Sequence, residues 1–185
     1  MKHRKPEDHL LLQQKAKELS ESLYPTIGEF AVSFEAISHA IRMGIDILLQ
    51  KNGLKNSRVS DILVGDLTMQ PLQATYRALL VETENLDESE IAVLDDIFKR
   101  VSQLAEHRNR ILHSSWFIDF KNPEDLRNGL LLSYKPGRTK KGAKDCPSRV
   151  AIQKIKDIIQ EARTVDDLVH QLNMCIYTRR KIVKK

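Results

Sequence analysis

Ile152, Ile155, Ile158, Ile159, Ala162, Val165, Leu168, Val169 and Leu172 return every three or four positions, and Cys175 and Ile176 continue the phase. A period near 3.6 residues puts them on one side of a helix, and that apolar side has to be covered by something else in the chain. Matching stripes run through the rest of the sequence. Leu12, Ala16, Leu19 and Leu23 form one, and Ile27, Phe30, Ala31, Phe34, Ile37, Ile41, Ile45, Leu48 and Leu49 form a second. Leu72, Thr75, Tyr76, Leu79 and Leu80 form a third. In the middle of the chain Ile91, Leu94, Ile97, Phe98, Val101, Leu104, Ala105, Ile111 and Leu112 form a fourth. Helices of this kind bury their stripes against one another, so the expectation is an all-α bundle of four or five main helices.

Local signals place the ends. Pro6-Glu7-Asp8 suits a first helical turn, Tyr24-Pro25 interrupts the pattern, and a second helix runs from Pro25 to a stop at Asn52-Gly53. Residues 53–68 are mixed and fit a short helix with a turn. A third helix is expected from Thr68 to Glu84, and Asp87 with Glu90 reads as a capping pair that opens the middle helix. The last helix is expected from about Ser148, and Thr164, three residues before Asp167, leaves a break open there. Between these helices the period changes. Trp116–Phe120 and Gly129–Tyr134 are short, apolar and aromatic, which predicts a hairpin or two irregular extended segments as a small insertion after the middle helix. Two glycines and two prolines in residues 135–149 predict a loop.

A length of 185 residues suits one domain with a substantial core, residues 1–185. Nothing resembling a signal peptide follows Met1, and no apolar run is long enough to cross a bilayer, so a soluble cytoplasmic protein is expected. Cys146 and Cys175 form no redox or metal spacing, which suits a reducing compartment while leaving a disulfide between them open. None of the six histidines has a second His or Cys at ligand spacing on one helix face, and His107 and His113 lie about 120° apart on an ideal helix, so neither metal nor cofactor is expected. The net charge of +5 hides an asymmetry. Residues 1–5, the segment 135–149 and the tail 177–185 together carry +13, and the remaining body carries −8. Such basic runs serve solubility in many chains, or they form the footprint of a polyanion.

The fourth stripe contains an anomaly. Arg108 follows Val101 by seven residues and so falls in the apolar phase, while Asn109 and His113 form an i, i+4 pair beside it. Arg108-Asn109, three further residues, then His113 resembles the R-x(4–6)-H motif of HEPN domains, small helical proteins of prokaryotic defence, toxin–antitoxin and RNA-processing systems. That resemblance implies a dimeric four- or five-helix bundle in which two motifs share a cleft. It also implies either a metal-independent endoribonuclease or a non-catalytic module that binds RNA, nucleotide or a protein partner. One departure stands out. Family members paired with a nucleotidyltransferase antitoxin often carry tyrosine two residues after the histidine, and Ser115 occupies that place here.

RNA carries its own nucleophile, the 2′-hydroxyl. Cleavage needs a base, a cation for the phosphate charge and an acid for the leaving oxygen, and histidine and arginine suit those roles. The implied catalytic set is therefore Arg108 on the phosphate, His113 as acid and base, and Asn109 orienting either. Arg110, Ser114, Ser115, Trp116, Lys140, Lys141 and Lys144 are candidate substrate contacts, with RNA, a second copy of the chain and an antitoxin or defence-complex protein as partners. Trp116, Phe117 and Phe120 could stack bases or fill a hairpin core. A plainer reading also holds for the motif: Arg108 and His113 could instead cap the last turn of their helix.

Overall fold

The computed structural model describes residues 6–119, 122–139 and 142–178, without the side chains of residues 6–9, 138, 139 and 142–146. Its elements are α1 (Pro6–Lys51), α2 (Ser57–Val64), α3 (Met69–Thr83), α4 (Glu88–Leu112), β1 (Ser115–Phe117), α5 (Pro123–Arg127), β2 (Leu130–Thr139), β3 (Gly142–Ala151) and α6 (Ile152–Thr178). The chain is mostly helical but not purely so, because β1, β2 and β3 form an antiparallel sheet in that order. No described helix is long and apolar enough to cross a membrane.

The expected break at Pro25 is absent, and the one left open at Thr164 does not occur. α1 runs through Pro25, and α6 runs through Thr164. Pro25 lies on the exposed side of α1, where water can reach the carbonyl that its missing N–H leaves without a donor. One residue on, Thr26 donates its hydroxyl to Ser22 O at 2.7 Å. Thr164 likewise donates to Gln160 O at 3.0 Å, so it serves the helix it sits in instead of capping a new one. The stop at Asn52-Gly53 is as expected: Gly53 has φ +99°, Leu54 N donates to Leu49 O and Gly53 N to Gln50 O, a glycine-terminated end. Asp87 and Glu90 form the reciprocal cap, with Asp87 N donating to Glu90 Oε2 and Glu90 N to Asp87 Oδ1, both at 3.0 Å.

The larger revision concerns residues 135–139 and 142–149, which pair as antiparallel strands where a loop was expected. β2 and β3 match from Leu130↔Ala151 to Thr139↔Gly142, and α6 therefore starts at Ile152 instead of near Ser148. Prolines are tolerated because neither occupies a fully paired position. β1 covers β2 only at Leu132, Ser133 and Tyr134, so Pro136 has an unpaired side, and Pro147 lies on an outer strand. A short helix, α5, fills the stretch between the two aromatic segments.

The chain divides into two compact units, each assembled from separated segments. The first comprises residues 1–31 and 108–159. Its core joins Leu12, Ala16, Leu19 and Leu23 of α1 to Leu126, Leu131 and Ile152, with Ile27, Trp116 and Ile118 packed against them. Arg149 and the buried Asp125 of α5 form an ion pair there, and the contact pushes the Arg149 guanidinium up from its ordinary range.

The second unit comprises residues 32–107 and 160–185. Phe34, Ile37, Ile41, Ile45 and Leu48 of α1 are buried there with Leu72, Tyr76 and Leu80 of α3, Leu94, Ile97, Phe98, Val101 and Leu104 of α4, and Val165, Val169 and Leu172 of α6. At its centre the Tyr76 hydroxyl donates to Asn173 Oδ1 at 2.5 Å, and Asn173 Nδ2 donates to Ala40 O at 2.8 Å. Burial pushes the Tyr76 phenol well up, so it stays protonated and keeps donating. The Tyr76 ring meets Phe98 edge-on at 5.9 Å, bringing α4 into the same knot. Cys175 is half-buried and free, and any pairing with Cys146 concerns a side chain outside the described residues.

Gly44 lets this knot form, because a Cβ there would press on Asn173 Oδ1 and the Tyr76 hydroxyl, whereas one on Gly28 in the same helix would meet nothing within 4 Å. Gly44→Ala is expected to destabilise the protein by about 1–3 kcal/mol through overpacking. Gly28→Ala should instead stabilise it by roughly 0.5–1 kcal/mol by relieving helix entropy. Urea denaturation midpoints of the two variants, moving in opposite directions, check both.

Candidate functional site

The last four carbonyls of an α-helix have no partner within it, and α4 ends at Leu112, which leaves residues 109–112 to be satisfied. Three are met by side chains. Lys135 Nζ on β2 donates to Asn109 O at 2.9 Å, Ser114 Oγ to Arg110 O at 2.5 Å, and Trp116 Nε1 on β1 to Ile111 O at 3.0 Å. The sheet and the motif helix are tied together by these bonds. Trp116 is thereby placed on the inner side of β1, half-buried against the core.

Arg108 makes a different contact: three of the terminal carbonyls are taken by Lys135, Ser114 and Trp116, and its Nη1 stands 3.1 Å from His113 Nε2. A guanidinium only donates, so His113 accepts at Nε2 and carries its ring proton on Nδ1. Arg108 is half-buried rather than buried, despite its apolar phase, and His113 is exposed. Asn109 is exposed, and it is Arg108, not Asn109, that engages the imidazole; Asn109 takes part through its main-chain carbonyl. Arg110 and Ser115 are exposed, and Ser114 is half-buried with its hydroxyl spent on Arg110 O.

Arg108 and Arg110 stand in the last turns of α4 and Lys135 bonds Asn109 O there, at the negative end of the helix dipole, where cations are stabilised. Lys135 was counted in the basic run but not singled out; the strand pattern that would have aimed it at α4 was hidden by the neighbouring proline and glycine. Lys140 and Lys141 lie outside the described residues, as does the Lys144 side chain. Among the described residues no group of three or more His, Cys, Asp or Glu could hold a metal ion. A groove of about 390 Å³ in the same unit is lined by Lys15, Glu18, Ser22, Asn128 and Gln153 among others, and includes none of the motif residues.

Compared with protein-family models, curated proteins and solved structures, the chain matches none. The site is therefore read from its own geometry. With neutral His113, ¹⁵N NMR should show Nδ1 protonated and Nε2 bare, and Arg108→Ala should release that preference without unfolding the protein. An Nε2-protonated ring in the wild type would mean that the Arg108 contact does not form.

Proposed function

We propose that this chain is a HEPN-like, metal-independent endoribonuclease acting as a homodimer, in a prokaryotic defence or toxin–antitoxin setting. The observation that carries the reading is the pair Arg108 Nη1 and His113 Nε2, 3.1 Å apart at an exposed helix end. A phosphate oxygen that draws off the Arg108 donor frees the Nε2 lone pair next to the bound phosphate. His113 then takes the proton of the 2′-hydroxyl, the 2′-oxygen attacks phosphorus, and the bond from phosphorus to the 5′-oxygen breaks. The leaving oxygen takes its proton from His113 of the second copy, which enters the step as the imidazolium and leaves it neutral, giving a 2′,3′-cyclic phosphate and a 5′-hydroxyl. Arg108 balances the charge growing on the phosphate oxygens. Each chain supplies one His113, which is the chemical reason for two copies. The same cations without a second histidine make a binding module for RNA or another anion.

Cutting of single-stranded RNA should proceed in EDTA, since base, cation and acid are all side chains. His113→Ala should lower the rate by about 10²- to 10⁴-fold with RNA affinity nearly intact. Arg108→Ala should lower both rate and affinity. A wild type that binds RNA but cuts none, and behaves like His113→Ala, would replace the nuclease by the binding module.

A further inference from the structure

The inner face of the sheet meets the motif helix. In an antiparallel sheet directly paired residues point to the same side, and neighbours along a strand alternate. On β2, Leu131 is fully buried in the core, Ser133 is buried, and Lys135 follows on the same face; Trp116 of β1 pairs with Ser133 and shares it. Phe117 turns the other way and is 53% exposed. Trp116 and Lys135 are thus aimed from adjacent strands at the end of α4, where Trp116 Nε1 donates to Ile111 O at 3.0 Å and Lys135 Nζ to Asn109 O at 2.9 Å. His113 stands one residue beyond the helix, exposed, in the turn that leads to β1. Helix ends fray, so an exposed side chain at such a place keeps a fixed position only if its main chain is held. The bond from Trp116 to Ile111 O closes the chain on itself around residues 112–115, with His113 inside the closure.

We infer that Trp116, with Lys135 beside it, is a positioning residue that holds His113 where the Arg108 contact forms and where a proton can pass to and from RNA. The part of this role that concerns turnover rests on the endoribonuclease reading above; the placement of His113 does not. The three donors at the helix end differ in how easily water replaces them. The bonds of Ser114 and Lys135 are exposed, whereas the indole bond is partly buried, Ile111 is buried, and the Trp116 ring packs on the core of the first unit. An exposed bond exchanges for one to solvent at little cost, while a shielded carbonyl that loses its donor is left unsatisfied. Trp116 therefore ties the turn to the core, and Lys135 adds a charged donor two residues earlier. Without the indole donor the last turn of α4 opens, and His113 shifts relative to Arg108, which stands further back in the helix. Proton transfer works only within hydrogen-bond reach, so a displacement of about 1 Å slows it, while a guanidinium that stays on its helix still grips phosphate.

The test uses the full-length protein and Trp116→Phe, which keeps an aromatic ring against the core and removes the donor. Without RNA and with His113 neutral, ¹⁵N NMR should show the imidazole losing its preference for a proton on Nδ1, as in Arg108→Ala, although Arg108 is in place. With single-stranded RNA in EDTA, kcat should fall about 10- to 100-fold while KM stays unchanged. Lys135→Met should move both readings the same way by less, and Lys135→Arg, which keeps a charged donor, should restore them. If Trp116→Phe does not fold, the two Lys135 variants decide the matter by the same readings. A raised KM with kcat unchanged overturns the inference, since it would make Trp116 a contact of the RNA. So does damage in Trp116→Leu that Trp116→Phe does not share, which would assign the role to the ring and not to its N–H. If the Nδ1 preference is lost in Trp116→Phe but the wild type cuts no RNA, the placement of His113 by Trp116 stands and the nuclease falls. If wild type and Trp116→Phe share one tautomer and one kcat, the nuclease stands and the positioning role falls.

Discussion

The end of α4 is the constraint on which the first unit depends. A helix terminating at Leu112 brings a set of carbonyls to one place, and each needs a donor. Lys135, Ser114 and Trp116 meet that need from β2, the turn and β1. The bonds fix the sheet against the helix end at three positions, and they do so without Arg108. Because the capping work is done by others, the guanidinium is left to turn toward His113, and the two motif side chains meet across i and i+5.

The second unit is held by a different device. Tyr76, Asn173 and the main chain of Ala40 form a buried polar chain between α3, α6 and α1, in a space that only a glycine at position 44 leaves open. Helical spacing showed Tyr76 to be inward-facing, but it gave no hint of Asn173, which sits beside Leu172 within the stripe and reads as a surface amide. A buried amide is recognisable only through its partners, which are distant in sequence. Lys51 illustrates the same point, since it bonds Glu84 of α3's C-terminus and Ile176 O of α6, residues that no local pattern joins.

Legibility followed the length of the signal. Stripes of twenty residues declared α4 and α6, and the Asp87–Glu90 cap was readable to the residue because its chemistry is local. Pro25 was overread as a break: a single residue's preference, worth about 3 kcal/mol for an interior proline, yields to the packing of a long helix around it. The hairpin of residues 130–151 was half seen, because strand alternation spans few residues and Pro136, Gly137, Gly142 and Pro147 argue against it one by one. At the site, Arg108 and His113 stood out by phase and spacing. Which of Arg108 and Asn109 would meet the imidazole depended on side-chain reach, and the opposite facings of Trp116 and Phe117 depended on the strand's register, and neither is written in the local sequence.

The prolines that obscured the hairpin have a consequence for how the sheet meets other molecules. A strand arriving alongside needs an unbroken ladder of main-chain donors and acceptors, and a proline removes a rung. Pro136 stands on the length of β2 that β1 leaves bare, Pro147 stands on the outer strand β3, and β1 offers only three residues. The sheet is thus poorly suited to growth at its margins, whether by a peptide adding itself as a fourth strand or by copies of the chain joining edge to edge. What the sheet offers instead is its flat, where any contact is made through side chains rather than through the peptide backbone.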